Sequence, residues 1–193
     1  LIVAGIDEVG YGSWAGPVTV ACVSIEGELY EVGPLEDVRD SKKLSKPKIK
    51  KLARVISAKA DYLGLGWSFP NEINLIGLKA ATIRAVNRAI LNCNIPVDLA
   101  IMDGSYRKDW HLKAKEVEWV VKGDSKIFSI ACASIVAKAE RDLYMENLIH
   151  SEYPQYGFYN HVGYGTKRHQ EALEDHGFIK GLHRVNNGTK KYV

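Results

Sequence analysis

The stretch from Leu1 to Pro17, reading LIVAGIDEVGYGSWAGP, restricts the fold more than any other part of the chain. An apolar run, LIVAGI, delivers two adjacent carboxylates, Asp7 and Glu8, to a loop carrying Gly10 and Gly12. Such a run belongs in a buried strand, and an acid that follows it inward is costly unless a partner offsets its charge. Strand neighbours point to opposite faces, so Asp7 and Glu8 can serve one site only where the strand is ending or twisting out of register. A sheet that fixes carboxylates beside a glycine turn, where a ligand can approach bare backbone, is a common frame for a metal or phosphate site.

Composition then limits the class. The chain has 193 residues, 46% hydrophobic and 25% charged, which is enough for one domain with a substantial core. No apolar run approaches the roughly 20 residues that a membrane-spanning helix needs, and no basic region precedes an apolar signal core. A soluble, cytoplasmic monomer with no membrane partner is therefore expected. Cys22, Cys93 and Cys132 lie far apart and form no CxxC pair, which argues for small buried hydrophobes rather than a disulfide framework or a zinc site.

The net charge of +3 identifies no partner, but its distribution is uneven. Lys42, Lys43, Lys46, Lys48, Lys50, Lys51 and Arg54 run without an acid among them, after a stretch holding Glu26, Glu28, Glu31, Glu36 and Asp37. This basic segment is either a solvated helix face or a patch that tracks phosphates.

The rest of the chain supplies a sheet and its cover. Pro17 to Ile25 reads as a second strand antiparallel to the first, and Tyr62 to Phe69 as a third. Between them Ile49, Leu52, Ala53, Ile56 and Ala60 recur at helical spacing from Lys46 to Ala60, with Pro47 in the first turn. Asn71 is placed to cap a helix reaching about Cys93. Val97 to Met102 is a short strand that delivers Asp103 to a turn at Gly104, and Glu116 to Val121 is another that ends in Lys122-Gly123-Asp124. A long helix is expected from Ser125 to about His150, then a loop from Tyr153 to Thr166, and a last helix from Lys167 to about His176 before Gly177. This order predicts an α/β fold with a mixed five-stranded sheet flanked by helices and a C-terminal helical segment. Placing strands four and five beside strand one would gather Asp7, Asp103 and Asp124 at one sheet end.

Each acid also has a plainer explanation. Asp124 can cap the long helix, and Asp103-Gly104 is a good turn pair. Asp7 and Glu8 resist such a reading, and a divalent cation is the simplest partner for several converging carboxylates. Oxygen-only ligands with no His or Cys at metal spacing favour Mg²⁺ or Mn²⁺, which usually act on phosphate substrates. Two such ions can hold an attacking water and a leaving oxygen in line for phosphodiester hydrolysis.

Several motifs then match one family in order and over nearly the whole chain. GIDEVGYGSWAGP, RDSKKLS, IMDG, KGDSKIFSIACASIVAKAERD, HVGYGT and GLHR closely resemble ribonuclease HII. The resemblance implies an RNase H-like fold over residues 1–193, with the segment from about 151 to 193 contributing to substrate binding. It implies endonucleolytic cleavage of RNA in RNA/DNA hybrids and 5′ of a lone ribonucleotide in duplex DNA, with 3′-hydroxyl and 5′-phosphate ends and Mg²⁺ or Mn²⁺ as cofactor. The family's catalytic, metal-holding carboxylates fall on Asp7, Glu8, Asp103 and Asp124. Its glycine-flanked loop, which faces the ribose 2′-hydroxyl through backbone groups, falls on Gly10, Tyr11 and Gly12. Its tyrosine that packs on the next sugar falls on Tyr164, and Ser41, Lys42 and Lys43 match a segment near the nucleic acid. Asp142, about five helical turns beyond Asp124, reads as structural. The departure is Tyr11, where the family usually has arginine; a phenol cannot clamp a phosphate with a charged fork. The related ribonuclease HIII is the enzymatic alternative, and an inactive nucleic-acid-binding module is the non-enzymatic one.

Overall fold

The computed structural model describes residues 1–25, 38 and 44–193; Ser41, Lys42 and Lys43 lie outside these residues. Among the described residues five strands are found: β1 (Val3–Val9), β2 (Val18–Ser24), β3 (Tyr62–Ser68), β4 (Leu99–Asp103) and β5 (Glu116–Val120), in the order β3-β2-β1-β4-β5. β1 pairs antiparallel with β2 and parallel with β4, and β4 pairs parallel with β5. This is the mixed sheet expected, with strands four and five beside strand one. The helices are α1 (Lys46–Lys59), α2 (Pro70–Ile76), α3 (Leu78–Leu91), α4 (Phe128–Leu143), α5 (His150–Glu152), α6 (Phe158–His161) and α7 (Lys167–His176), with a π-helical turn at Tyr144–Ile149. Among the described residues, no helix is long and apolar enough to cross a membrane.

Several boundaries differ from the sequence reading for local reasons. β1 carries both acids and ends at Val9, just before the glycine loop. The helix expected from Asn71 to Cys93 is two helices. Phe69 caps the first, and Gly77 ends it at φ +84, a conformation that side chains bearing a Cβ rarely adopt. Asp124 does not cap the long helix; it lies in a 3₁₀ turn at Gly123–Ser125, four residues before α4 begins at Phe128. The expected Tyr153–Thr166 loop holds a 3₁₀ turn at Pro154–Tyr156 and the short α6.

The chain divides into two compact units. The first comprises Leu1–Val9, Thr19–Trp67 and Ile83–Ala139, and the second Gly10–Val18, Ser68–Thr82 and Glu140–Val193. In the first unit, the buried face of α1 (Ile49, Leu52, Ala53, Ile56) joins Ala21 and Val23 of β2 and the small residues Ala131, Ala133 and Ala137 of α4 in one core. The alanine spacing lets the helix backbone approach the sheet closely. The three cysteines are free and buried, as expected.

The second unit has a different interior. Tyr156 and Phe158 stack with centroids 5.5 Å apart, and His161, His169 and His183 crowd against them. The histidine hydrogen bonds form a consistent neutral set. Ile179 N donates to His183 Nδ1 at 2.9 Å, so His183 donates from Nε2 to His169 Nε2 at 3.1 Å, and His169 Nδ1 donates to the Tyr164 carbonyl at 2.9 Å. His161 accepts from Gly163 N and donates to the Tyr156 carbonyl. Burial pushes the His169 pKa down to about 4 and that of His183 to about 3.

Candidate active site

The acids are positioned by strand register. Ile6 of β1 pairs with Met102 of β4, so one step further along the parallel pair Asp7 comes beside Asp103. Asp7 is 8% exposed, and its Oδ1 accepts the Glu8 N–H at 2.8 Å. Its pKa is raised to about 8, first by burial, then by the charge of Glu8 and, less strongly, of Asp103, against a hydrogen bond from Ser134. Burial also raises the Glu8 pKa, while Arg107 opposes the rise and Asp103 adds to it. Asp103 Oδ1 is held by the Gly123 N–H at 2.6 Å, and the next residue, Asp124, is 6% exposed. The register thus brings Asp7, Glu8 and Asp103 into electrostatic contact, and one backbone hydrogen bond ties the turn bearing Asp124 to Asp103.

Such a cluster is short of positive charge. Among the described residues, no group of three or more His, Cys, Asp and Glu side chains is placed so as to hold a metal ion. The donor set nonetheless fits one chemically. It is all oxygen, it is negative, and the buried Asp7 takes up a proton near neutral pH for want of a counter-charge. A divalent cation would replace that proton.

The glycine loop belongs to the second unit and is held by its carbonyls. Gly10 takes φ +81, and a Cβ there would stand 2.2 Å from Arg141 Nε, so only glycine leaves room for that side chain. Arg141 is wholly buried; Nε donates to the Pro17 carbonyl, Nη1 to that of Val162, and Nη2 to Ser13 Oγ and the Ala15 carbonyl. Arg184 donates to the carbonyls of Gly10, Tyr11 and Gly16. Gly12 is exposed, and a Cβ built on it would meet nothing within 4 Å, which leaves space for a ligand beside its backbone. The Tyr11 side chain is 37% exposed. Tyr164 is half-buried, with the Arg141 guanidinium 5.3 Å from its ring centroid, so one arginine braces both the loop and this tyrosine. Asp142 is buried, and its charge supports Arg141, in keeping with a structural role.

Four residues escaped the sequence reading. Ser134 and Arg107 touch the acids electrostatically, and Arg141 and Arg184 fasten the loop. Arg141 and Arg184 lie in the AERD and GLHR stretches, and an arginine within an alanine-rich helix was the available signal for the first. Ser134 and Arg107 carry no such mark.

Known proteins agree with this fold. The ribonuclease HII family matches residues 4–190. A ribonuclease HII from Pelodictyon phaeoclathratiforme is 44% identical over 91% of this chain and 84% of its own. Among solved structures, the ribonuclease HII of the PCNA:RNase HII complex from Archaeoglobus fulgidus superposes with a TM-score of 0.78 at 26% identity, covering 97% of this chain and 95% of that one. Bst-RNase HIII in complex with Mn²⁺ shares the fold at a TM-score of 0.72 and 20% identity, covering all of this chain and 69% of its own. With both the family match and the bacterial relative spanning nine-tenths of it, the chain belongs to the ribonuclease HII family of ribonuclease H endonucleases.

Proposed function

We propose that the chain hydrolyses the RNA strand of RNA/DNA hybrids and cuts duplex DNA 5′ of a single embedded ribonucleotide, leaving 3′-hydroxyl and 5′-phosphate ends. The observation that carries this reading is the buried Asp7–Glu8–Asp103 cluster, in which burial and like charge hold Asp7 near pKa 8. Asp7, Glu8, Asp103 and Asp124 are the groups that would hold two divalent ions, Mg²⁺ or Mn²⁺. When bound, these supply Lewis-acid activation of water and charge compensation at the departing 3′ oxygen.

The chain's own residues orient that chemistry. Ser134 and the Glu8 N–H fix Asp7, and the Gly123 N–H fixes Asp103, so the carboxylates are set by the fold before any ligand arrives. Arg107 faces Glu8 and is the cation available to a substrate phosphate on the acidic side. Gly10, Tyr11 and Gly12 read the ribose 2′-hydroxyl through backbone groups, the feature that separates RNA from DNA at one nucleotide. Tyr164 packs on the following sugar, and Ser41, Lys42 and Lys43 bear on the phosphates. Residues 1–193 work as one RNase H-like catalytic domain, with the segment from about 151 to 193 contributing to substrate binding.

The test is cleavage of a DNA duplex carrying one ribonucleotide, compared with a hybrid carrying a longer RNA tract, each with Mg²⁺ and with Mn²⁺. Cutting 5′ of the lone ribonucleotide is expected. Cutting confined to the longer tract would overturn the junction preference and favour an HIII-like activity, for which the phenol of Tyr11 in place of a charged fork is the motive. Binding without cleavage of either duplex would leave only a nucleic-acid-binding module.

A further inference from the structure

The loop between β4 and β5 starts at Gly104, directly after Asp103, and it is basic. Arg107, Lys108, Lys113 and Lys115 outnumber its one acid, Asp109, and Lys115 pairs with Asp98. Tyr106, Arg107 and Lys108 are all exposed, yet the loop has a small interior of its own. Trp110 is 8% exposed and meets Trp119 of β5 edge-on, with ring centroids 5.4 Å apart. From α3, the Asn87 side chain accepts from Lys113 N at 2.8 Å and donates to the His111 carbonyl at 3.1 Å. The Trp110 indole N–H is buried without an acceptor, so this position uses the face of the ring rather than its donor. Over that face lies the Arg107 guanidinium, its Cζ 4.8 Å from the ring centroid. Indole is the best aromatic partner for a cation. The charge of Arg107 bears on Glu8, but among the described residues its guanidinium makes no ion pair and donates no hydrogen bond. A cation held by a ring face keeps its N–H fork unspent, and one held beside a carboxylate cluster is placed for an anion that must approach that cluster.

We propose that the β4–β5 loop binds the backbone of a nucleic-acid duplex, with Arg107 clasping one phosphate and Trp110 as the positioning residue that holds its guanidinium for that contact. The clasp rests on the nuclease reading above and deepens it. Trp110 is buried and acts only through Arg107. A phosphate contact of this kind fixes register without reading sequence, so it serves an all-DNA duplex and a ribonucleotide-bearing one alike.

The experiment is equilibrium binding of the single-ribonucleotide duplex to the whole chain in EDTA, from about 50 to 200 mM salt, where no cleavage step intervenes. Arg107 is exposed, so Arg107→Gln leaves the fold intact. It is expected to weaken binding about tenfold and to lower the log–log salt slope by about one. Trp110→Leu is expected to do the same, and to weaken binding no further once Arg107→Gln is present. A tryptophan that only fills the loop interior would lower the thermal midpoint on replacement and leave the slope at its parent value. Where Trp110→Leu fails to fold, Trp110→Phe decides, because it keeps a ring face and discards the unpaired N–H. It is expected to weaken binding about threefold with Arg107 intact and not at all beside Arg107→Gln. A salt slope unmoved by Arg107→Gln, or a tryptophan effect of equal size in both backgrounds, would overturn the clasp. So would a loss confined to the ribonucleotide duplex and absent from an all-DNA duplex of the same sequence. Metal-dependent cleavage with an unmoved slope defeats the clasp alone; a slope lowered by both variants without cleavage defeats the nuclease reading alone.

Discussion

The two units bury charge in opposite ways. In the second, Arg141 lies in the interior with its guanidinium donating to three carbonyls and a hydroxyl, so its desolvation is offset within the chain. In the first, Asp7 is also buried, beside Glu8 and Asp103, and burial and repulsion outweigh the hydrogen bonds it receives. Burial alone therefore does not separate structural from functional charge. What separates them is whether the fold completes the charge or leaves it to a ligand.

The contrast can be broken most sharply at Arg141. Replacing it by methionine strips donors from buried carbonyls and should cost on the order of 3–5 kcal/mol in urea unfolding; a loss below about 1 kcal/mol would mean that those hydrogen bonds complete nothing. At the other pole, Asp7→Asn or Asp103→Asn should lower metal-dependent cleavage about a hundredfold or more, as loss of a group aimed at transition-state charge does. Circular dichroism should stay unchanged, and metal-free Asp7→Asn should be no less stable than the parent at pH 8. Retained turnover would remove these carboxylates from the site.

Acid and alkali offer a third comparison. His169 and His183 are held neutral at about 4 and 3 against an ordinary value of 6.5, so below pH 6.5 the unfolded chain takes up protons first, and stability should fall progressively as pH drops toward those values. For Asp7 the sign reverses. Its carboxyl keeps a proton in the fold up to about pH 8 but loses it near 3.8 when unfolded, so its contribution declines as pH rises between the two, and a divalent ion should reverse that decline. Thermal unfolding from pH 3 to 9 in EDTA, repeated with Mn²⁺, measures both trends; equal loss on the acid side with histidines replaced by glutamine would reassign that limb. The smallest effect is expected at Tyr11. Tyr11→Arg should tighten duplex binding a few-fold and steepen its salt dependence by about one unit in log–log slope. An unchanged slope would place the residue away from any phosphate.

Much of this was legible in the chain itself. Strand periodicity and the alternation of strands and helices predict the five-stranded α/β sheet, and LIVAGIDE marks Asp7 and Glu8 because buried acids after an apolar run need a partner. Helix ends were less legible. Asn71 carries a strong capping preference, but Phe69 holds the cap because Pro70 occupies the first turn, and Gly77 breaks the helix through a positive φ that composition does not display. The Tyr153–Thr166 stretch looked like loop because its glycines and tyrosines lack periodicity, yet Pro154 and the αL turn at Gly157 set two short helical turns there.

The opening strand sums up the division. Its pattern fixed where acids enter the interior, since hydrophobic periodicity and strand alternation are local properties. Only the pairing of β1 with β4 decided that Asp103 stands beside Asp7, and only the approach of residues far along the chain decided that Arg141 and Arg184 hold the loop that follows. Those contacts join residues 96 or more positions apart, and no local pattern encodes the register, the burial or the unmet charge that gives them their chemistry.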